Sequence, residues 1–343
     1  GITELAVRMH ARAAGDEVPT VDLPVASASG SRPVPLSAGA GPATATAPGS
    51  PAPLYETRVA GARAEPDVTA IPGYQLVRVL GRGGMGVVYE AVQAATGERV
   101  AVKTILPAAR LGGTAVAKFV READIVRRLD HPGIVRFLDS GDAGGTAWFA
   151  MEFVSGGDAQ TLSAHGPLPV GRAVGWVVQA LEAIQYAHDR GFVHRDVKPS
   201  NLLVSSGPGR AEVVKVADFG LARAYEASPL SGLTLTGAAG GTPSFMPPEQ
   251  VLDMRSVKPP ADQYSCAATL YRLLAGHNIL PQCPNVEELF TRILQSDPLP
   301  ITTHRPDLRS PLTDAIHRAL SRDPEARYPN CRAFATALKP FAG

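Results

Sequence analysis

The stretch His194-Arg195-Asp196-Val197-Lys198-Pro199-Ser200-Asn201, followed 17 positions after Asn201 by Asp218-Phe219-Gly220, constrains this chain more than any other. It sets two carboxylates, an amide and two cationic side chains on short segments rich in turn-forming residues. Asp, Asn, Pro and Gly suit such segments because each tolerates or imposes tight backbone geometry. Charged loops of this kind act when a rigid scaffold positions them. The flanking segments therefore decide what the string means.

Upstream, Gly81-Arg82-Gly83-Gly84-Met85-Gly86-Val87-Val88 carries the spacing G-x-G-x-x-G-x-V. Dinucleotide-binding folds show the same glycines, but there they open a helix. Here residues 74–80 and 87–92 are rich in β-branched and aromatic side chains, which predicts strand, glycine turn, strand. Such a hairpin can fold over a ligand, and glycine N–H groups can approach phosphate oxygens with no Cβ in the way.

Residues 99–105, Arg-Val-Ala-Val-Lys-Thr-Ile, read as a short apolar strand with Ala101 and Lys103 on one face. Residues 115–129 have helical periodicity, with Val116, Phe119, Ala123, Val126 and Leu129 on one arc. Glu122 falls inside that arc, while Lys118, Arg121, Asp124 and Arg128 take the opposite side. A carboxylate within an apolar stripe is costly unless it meets a cation. Lys103 is the partner that the pattern favours, with Arg121 or another helix arginine as the alternative.

Taken together these segments resemble eukaryotic-type bacterial Ser/Thr protein kinases. The glycine loop, Ala101-Val102-Lys103, the helix Glu122, His194-Arg195-Asp196, Asp218-Phe219-Gly220 and Pro247-Pro248-Glu249 occur in the order of that family. The resemblance covers residues 73–341 and implies an α+β, two-lobed fold. A small antiparallel-sheet lobe with one helix takes about 73–154, and a larger, mainly helical lobe about 158–341. ATP is then expected in the cleft between them.

The resemblance also implies roles. Asp196 orients or accepts the proton of a substrate hydroxyl, and Lys198 offsets charge on the transferred γ-phosphoryl group. Asn201 and Asp218 supply oxygen ligands for Mg2+, with Mn2+ as an alternative. Lys103 holds the α- and β-phosphates and is itself held by Glu122. The nucleotide is covered by Leu80, Gly81, Arg82, Gly83, Gly84, Met85, Gly86 and Val87. Val88 and Ala101 form the roof of the adenine pocket, Leu203 its floor, and Met151 guards its back. The Glu152 carbonyl and the Val154 N–H bond the adenine edge.

Between Asp218 and Glu249, Ser228, Ser231, Thr234 and Thr236 lie among Gly and Ala residues. A phosphate there could bridge to Arg195 and Arg223, so autophosphorylation at Thr234 or Thr236 is expected. Thr242 and Lys198 match the Ser/Thr-specific members of the family. Pro247 replaces the usual alanine, the partner of Glu249 would be Arg327, and Asp262 resembles the acid that anchors the catalytic loop. Ala267 stands where glycine is common. None of these departures touches a phosphate or metal ligand.

Lys+Arg 33 against Asp+Glu 32 gives no signal for nucleic acid or a membrane surface. Three cysteines form no disulfide framework or metal spacing, which fits a reducing cytoplasm. No apolar run reaches the roughly 18 residues that span a bilayer. Residues 1–72 include a tract dominated by Ala, Pro, Gly, Ser and Thr, expected to be disordered. Helices are predicted over 171–190, 309–320 and 331–338. The expected substrates are proteins bearing Ser or Thr, the chain itself included. A nucleotide-binding pseudokinase scaffold is the alternative, against which Lys103, Asp196 and Asp218 are all intact. A small-molecule kinase is a further alternative, against which the long segment ending in Gly241-Thr242-Pro243 argues.

Overall fold

The computed structural model describes residues 70–83, 86–105, 127–144, 146–205, 211–219, 243–254 and 256–343. Five strands form one antiparallel sheet: β1 (Tyr74–Gly83), β2 (Gly86–Gln93), β3 (Arg99–Ile105), β4 (Phe137–Ala143) and β5 (Thr146–Glu152), in the order β1-β2-β3-β5-β4. β1 and β2 pair down to Gly83 opposite Gly86, the hairpin that the glycine spacing predicts. Gly86 has φ +153°, and a Cβ there would fall 1.8 Å from the Thr104 carbonyl oxygen, so only glycine lets β2 lie this close to β3. β3 is buried along nearly its whole length and sets Ala101 opposite Met151 and Lys103 opposite Phe149.

A second antiparallel sheet of three short strands, β6 (Gly156–Asp158), β7 (Leu202–Ser205) and β8 (Val213–Val216), follows the five-stranded one. The remaining described elements are mainly helical: α1 (Ala159–Leu162), α2 (Val170–His188), α3 (Pro248–Leu252), α4 (Pro260–Ala275), α5 (Val286–Gln295), α6 (Ser310–Ala319) and α7 (Cys331–Leu338). In α2, Ala173, Val177, Ala180, Ile184 and Ala187 recur at helical spacing and are fully buried. Past the end of α2, Gly191 adopts φ +79°, the left-handed conformation that turns the chain into the next loop. Asn285 and Asn330 cap α5 and α7 by accepting from the N–H groups of Glu288 and Ala333.

The large core gathers around α2, α4 and α7, with Trp176, Leu181, Ile184, Leu270, Leu273 and Phe334 almost wholly buried. A separate apolar cluster joins the five-stranded sheet to the rest. Ala101, Ile105, Phe149 and Met151 from the sheet pack with Val135 and Ala217, and Val88, Phe137, Val154 and Leu203 are partly buried against them. Backbone bonds cross at the same place, Val135 N–H donating to Val216 and Val216 N–H to Gly133. β8 is thereby fixed to the chain that enters β4, and Asp218, two residues beyond β8, inherits that placement.

Candidate active site

The loop between α2 and β7 carries His194 to Asn201, and its backbone is held from beneath. Asp262, fully buried in the first turn of α4, accepts from the backbone N–H groups of His194 (2.8 Å) and Arg195 (2.7 Å) and contacts His188 Nε2 at 2.7 Å. Burial alone would raise the Asp262 carboxyl. The His188 hydrogen bond and charge, with His194, outweigh it and hold the group below its ordinary range. Arg195 takes φ +70°, an uncommon conformation for a residue with a side chain.

On that support Asp196 is reached by two donors. Lys198 Nζ lies 2.8 Å from Asp196 Oδ2, and Asn201 Nδ2 lies 3.2 Å from the same oxygen and 2.8 Å from the Asp196 carbonyl. Asn201 sits in a 3-10 turn, Pro199–Asn201, whose proline supplies a fixed φ at its start. The Asn201 carbonyl accepts from Ala217 N–H at 2.8 Å, which draws the residue before Asp218 against the loop.

Asp218 also has positive φ, 62°, and its Oδ2 lies 2.7 Å from Lys103 Nζ on β3. Burial would raise this carboxyl too, but Lys103 beside it, with added charge from Lys198, holds it below the usual range. Lys103, Asp218, Lys198, Asp196 and Asn201 thus form one continuous set at the junction of the sheet and the helical region. Glu122, the partner expected for Lys103, lies outside the described residues, as do Gly84, Met85, Gly220, Arg223, Thr242 and the four hydroxyl residues from Ser228 to Thr236.

The oxygen chemistry of this set suits Mg2+. Asn201 commits its amide nitrogen to Asp196, which leaves Oδ1 as an oxygen donor, and Asp218 commits one carboxylate oxygen to Lys103. No group of three or more His, Cys, Asp or Glu side chains among the described residues could hold a metal by itself. Mg2+ commonly takes one or two side-chain oxygens and completes its shell with water and phosphate. Asn201 and Asp218 fit that pattern.

The side chains expected around adenine meet in the apolar cluster that joins the two parts. Val88 and Ala101 come from β2 and β3, Met151 from the end of β5 and Leu203 from β7. The Val154 N–H, just beyond β5, has no backbone acceptor among the described residues. Leu80, Gly81 and Arg82 lie at the exposed end of β1, and Val87 faces them across the hairpin.

A family model for the protein kinase domain matches residues 74–338. Serine/threonine-protein kinase pkn2 of Myxococcus xanthus is 33% identical over 277 residues, covering 80% of this chain and 33% of that protein. Serine/threonine-protein kinase PknF of Mycobacterium tuberculosis is 36% identical over 269 residues, covering 78% of this chain and 56% of that one. The chain belongs to the eukaryotic-type bacterial Ser/Thr protein kinase family.

It spans between a third and about half of the length of these curated relatives. Among solved structures, the Mycobacterium tuberculosis PknI kinase domain aligns with TM-score 0.61 and 32% identity, over 80% of this chain and 97% of that one. Rad53 residues 1–466 in complex with AMP-PNP aligns with TM-score 0.63 and 27% identity, over 79% and 66% of the respective chains.

Three contacts in this kinase domain escape a reading of the sequence. Glu152 Oε1 accepts from Arg136 N–H and from Lys215 Nζ, both at 2.7 Å, so the side chain that leaves β5 is tied to β8. His188 reaches Asp262 from the end of α2, and Gln250 Nε2 donates to the Arg195 carbonyl at 2.7 Å. The Lys215–Glu152, His188–Asp262 and Gln250–Arg195 contacts each link residues more than 50 positions apart on separate segments, so no local periodicity marks them. Glu249 and Arg327 do meet as the family pattern implies, in a two-pronged pair at 2.6 and 2.9 Å with the Arg327 side chain fully buried.

Proposed function

We propose that this domain transfers the γ-phosphate of ATP to Ser or Thr hydroxyls of proteins, itself among them. The observation that carries the reading is the set formed by Lys103, Asp218, Lys198, Asp196 and Asn201 beside the apolar cluster that holds Val88, Ala101, Met151 and Leu203. The AMP-PNP bound to the structurally similar Rad53 supports an adenine nucleotide as the ligand of this site.

In this reading Asp196 turns one carboxylate oxygen toward the substrate hydroxyl and takes its proton, while Lys198 and Asn201 steady the other oxygen. Lys198 and Lys103 bring fixed positive charge to the phosphoryl oxygens, where charge builds as the bond to the leaving group lengthens. Bound Mg2+, held by Asn201 and Asp218, supplies the remaining charge neutralisation on the phosphates. Val88, Ala101 and Leu203 hold the adenine ring, and the Glu152 carbonyl and Val154 N–H read its edge. Gly81 to Val87 cover the phosphates, with Leu80 at the mouth.

Residues 73–341 are proposed as the catalytic domain, with lobes meeting near residues 154–158, and residues 1–72 as a separate segment. Among the described residues no helix is long and apolar enough to cross a membrane. Cys266, Cys283 and Cys331 are all free thiols, which supports a reducing compartment such as the cytoplasm, where ATP is also supplied.

Incubation with Mg-ATP followed by intact-mass measurement and phosphosite mapping tests the proposal. Added phosphate on the wild type, at Thr234 or Thr236 for the autophosphorylation part, is the expected result. Asp196→Asn should lower turnover on a generic protein substrate by at least about 100-fold with ATP affinity almost unchanged, whereas Lys103→Met should lower both. A wild type that phosphorylates neither itself nor any protein, yet binds the nucleotide, would establish the scaffold alternative instead.

A further inference from the structure

We propose that Gln250 is a positioning residue for phosphoryl transfer: its side-chain amide fixes the Arg195–Asp196 peptide plane and thereby aims the Asp196 carboxylate. The proposal rests on the kinase reading above and adds to it a residue outside the motif that carries Asp196.

The peptide in question is gripped at both ends. Its carbonyl, that of Arg195, accepts from Gln250 Nε2 at 2.7 Å. Its N–H, that of Asp196, donates to His194 Nδ1 at 3.2 Å. His194 Nε2 lies 2.8 Å from the Ala217 carbonyl, which can only accept, so the ring hydrogen sits on Nε2 and Nδ1 offers a lone pair. The preceding peptide is fixed separately, because Arg195 N–H donates to Asp262 Oδ1.

Arg195 has φ +70°, which a residue with a side chain keeps only when its surroundings over-determine it. Asp262 fixes one side of that residue and Gln250 the other. If the Gln250 bond is lost, the Arg195–Asp196 plane can rotate, changing ψ of Arg195 and φ of Asp196 together. The Asp196 carboxylate then swings relative to Lys198 and Asn201. A displacement of about 1 Å at a reacting group can cost 100-fold in rate.

The alternative is that Gln250 merely holds α3 in place, and the amide itself argues against it. Gln250 is 3% exposed, and its Oε1 is buried with no partner among the described residues. An apolar side chain of the same size would pack there without an unmet acceptor. Only the Nε2 end makes a bond, and that bond goes to the catalytic loop. α3 is in any case anchored by the neighbouring Glu249–Arg327 pair.

The test uses the full 343-residue chain with Gln250→Leu and Gln250→Glu, beside the wild type and Asp196→Asn. Gln250→Leu should lower kcat about 10- to 100-fold with KM for ATP within about twofold. In the nucleotide-free protein, exchange of the Asp196 amide hydrogen should accelerate by at least about tenfold, with α4 unaffected. In Gln250→Glu, a carboxylate cannot donate to the Arg195 carbonyl but a carboxylic acid can. Its kcat relative to wild type should therefore rise as pH falls from about 8 to 6.

A folded leucine variant with kcat within twofold of wild type would overturn the proposal. So would a fall in kcat matched by equal loss of ATP affinity and of melting temperature. Should the leucine variant not fold, the glutamate variant decides, and a pH-independent ratio sinks the idea. If the wild type shows no phosphotransfer, the kinase reading fails by itself, and the exchange rate still reports whether Gln250 tethers the loop.

Discussion

The loop that carries Asp196 rests on side chains that are almost wholly buried, whereas β1 is an edge strand with Val77 55% and Leu80 38% exposed. Beneath the loop, Asp262 and Arg327 are 0% and 2% exposed and contact backbone or charge in several directions. Above it, β1 is held by its ladder to β2, which is itself shifted in register at two places. The loop that carries Asp196, the proposed proton acceptor, is thus fixed by the protein itself. In the hairpin proposed to cover the nucleotide, Val77, Val79 and Leu80 are exposed, and Arg78 pairs with Glu90. Low local burial of this kind marks the parts of a fold that open at least cost.

Removing Asp262 should break the comparison most severely. Asp262→Ala leaves His188, His194 N–H and Arg195 N–H without their common acceptor in a site that water does not reach. Loss of one member of such a buried, charge-assisted set costs about 3–5 kcal/mol. Denaturant unfolding should show a loss of that size, accompanied by loss of turnover because Arg195 and Asp196 move with the support. A loss under about 1 kcal/mol would mean that the loop is held by its own turns and not by α4.

The contrast also explains what could be read from the sequence. The hairpin, β3 and the helices near 170–188, 310–319 and 331–338 follow from local periodicity and turn residues, which need no knowledge of distant partners. Asp196, Lys198 and Asn201 fall within six residues, so their meeting around one carboxylate is a consequence of a single tight loop. Lys103 and Asp218 are 115 positions apart, so no local pattern couples them, and their direct 2.7 Å pairing is visible only in the folded chain. Gln250, His188 and Lys215 carry no signal of their own, since each reads as an ordinary helix or strand residue until a distant backbone arrives beside it. The expected Lys103–Glu122 pair lies outside the described residues.

Acid sharpens the comparison at the next level. Burial works against ionisation of both Asp218 and Asp262, but Lys103 and His188 respectively outweigh it and depress the two carboxyls. A carboxyl with a lower pKa in the folded state stabilises the fold fully above its unfolded value of about 4. That contribution is lost as pH falls through the lower folded value. The unfolding free energy should therefore lose its Asp262 contribution only below about pH 4, with a slope of at most about 1.4 kcal/mol per pH unit from this group. Asp262→Asn, measured alongside, should show a shallower acid limb. An identical limb in both proteins would remove Asp262 from the account of acid sensitivity.

The smallest effect is expected on the exposed side of β1. Val77 is 55% exposed on an edge strand, so its side chain adds little apolar burial. Val77→Thr keeps the β-branched shape that suits a strand and changes only which atoms face water. Stability should stay within about 0.5 kcal/mol of wild type, and KM for ATP should not change. The same conservative exchange at buried Val216, which carries β8 toward Asp218, meets a different environment, because its hydroxyl would enter the large core. A loss above about 1 kcal/mol from Val77→Thr would show that this face of β1 is covered, and the difference between β1 and the loop that carries Asp196 would then lie in their partners and not in their burial.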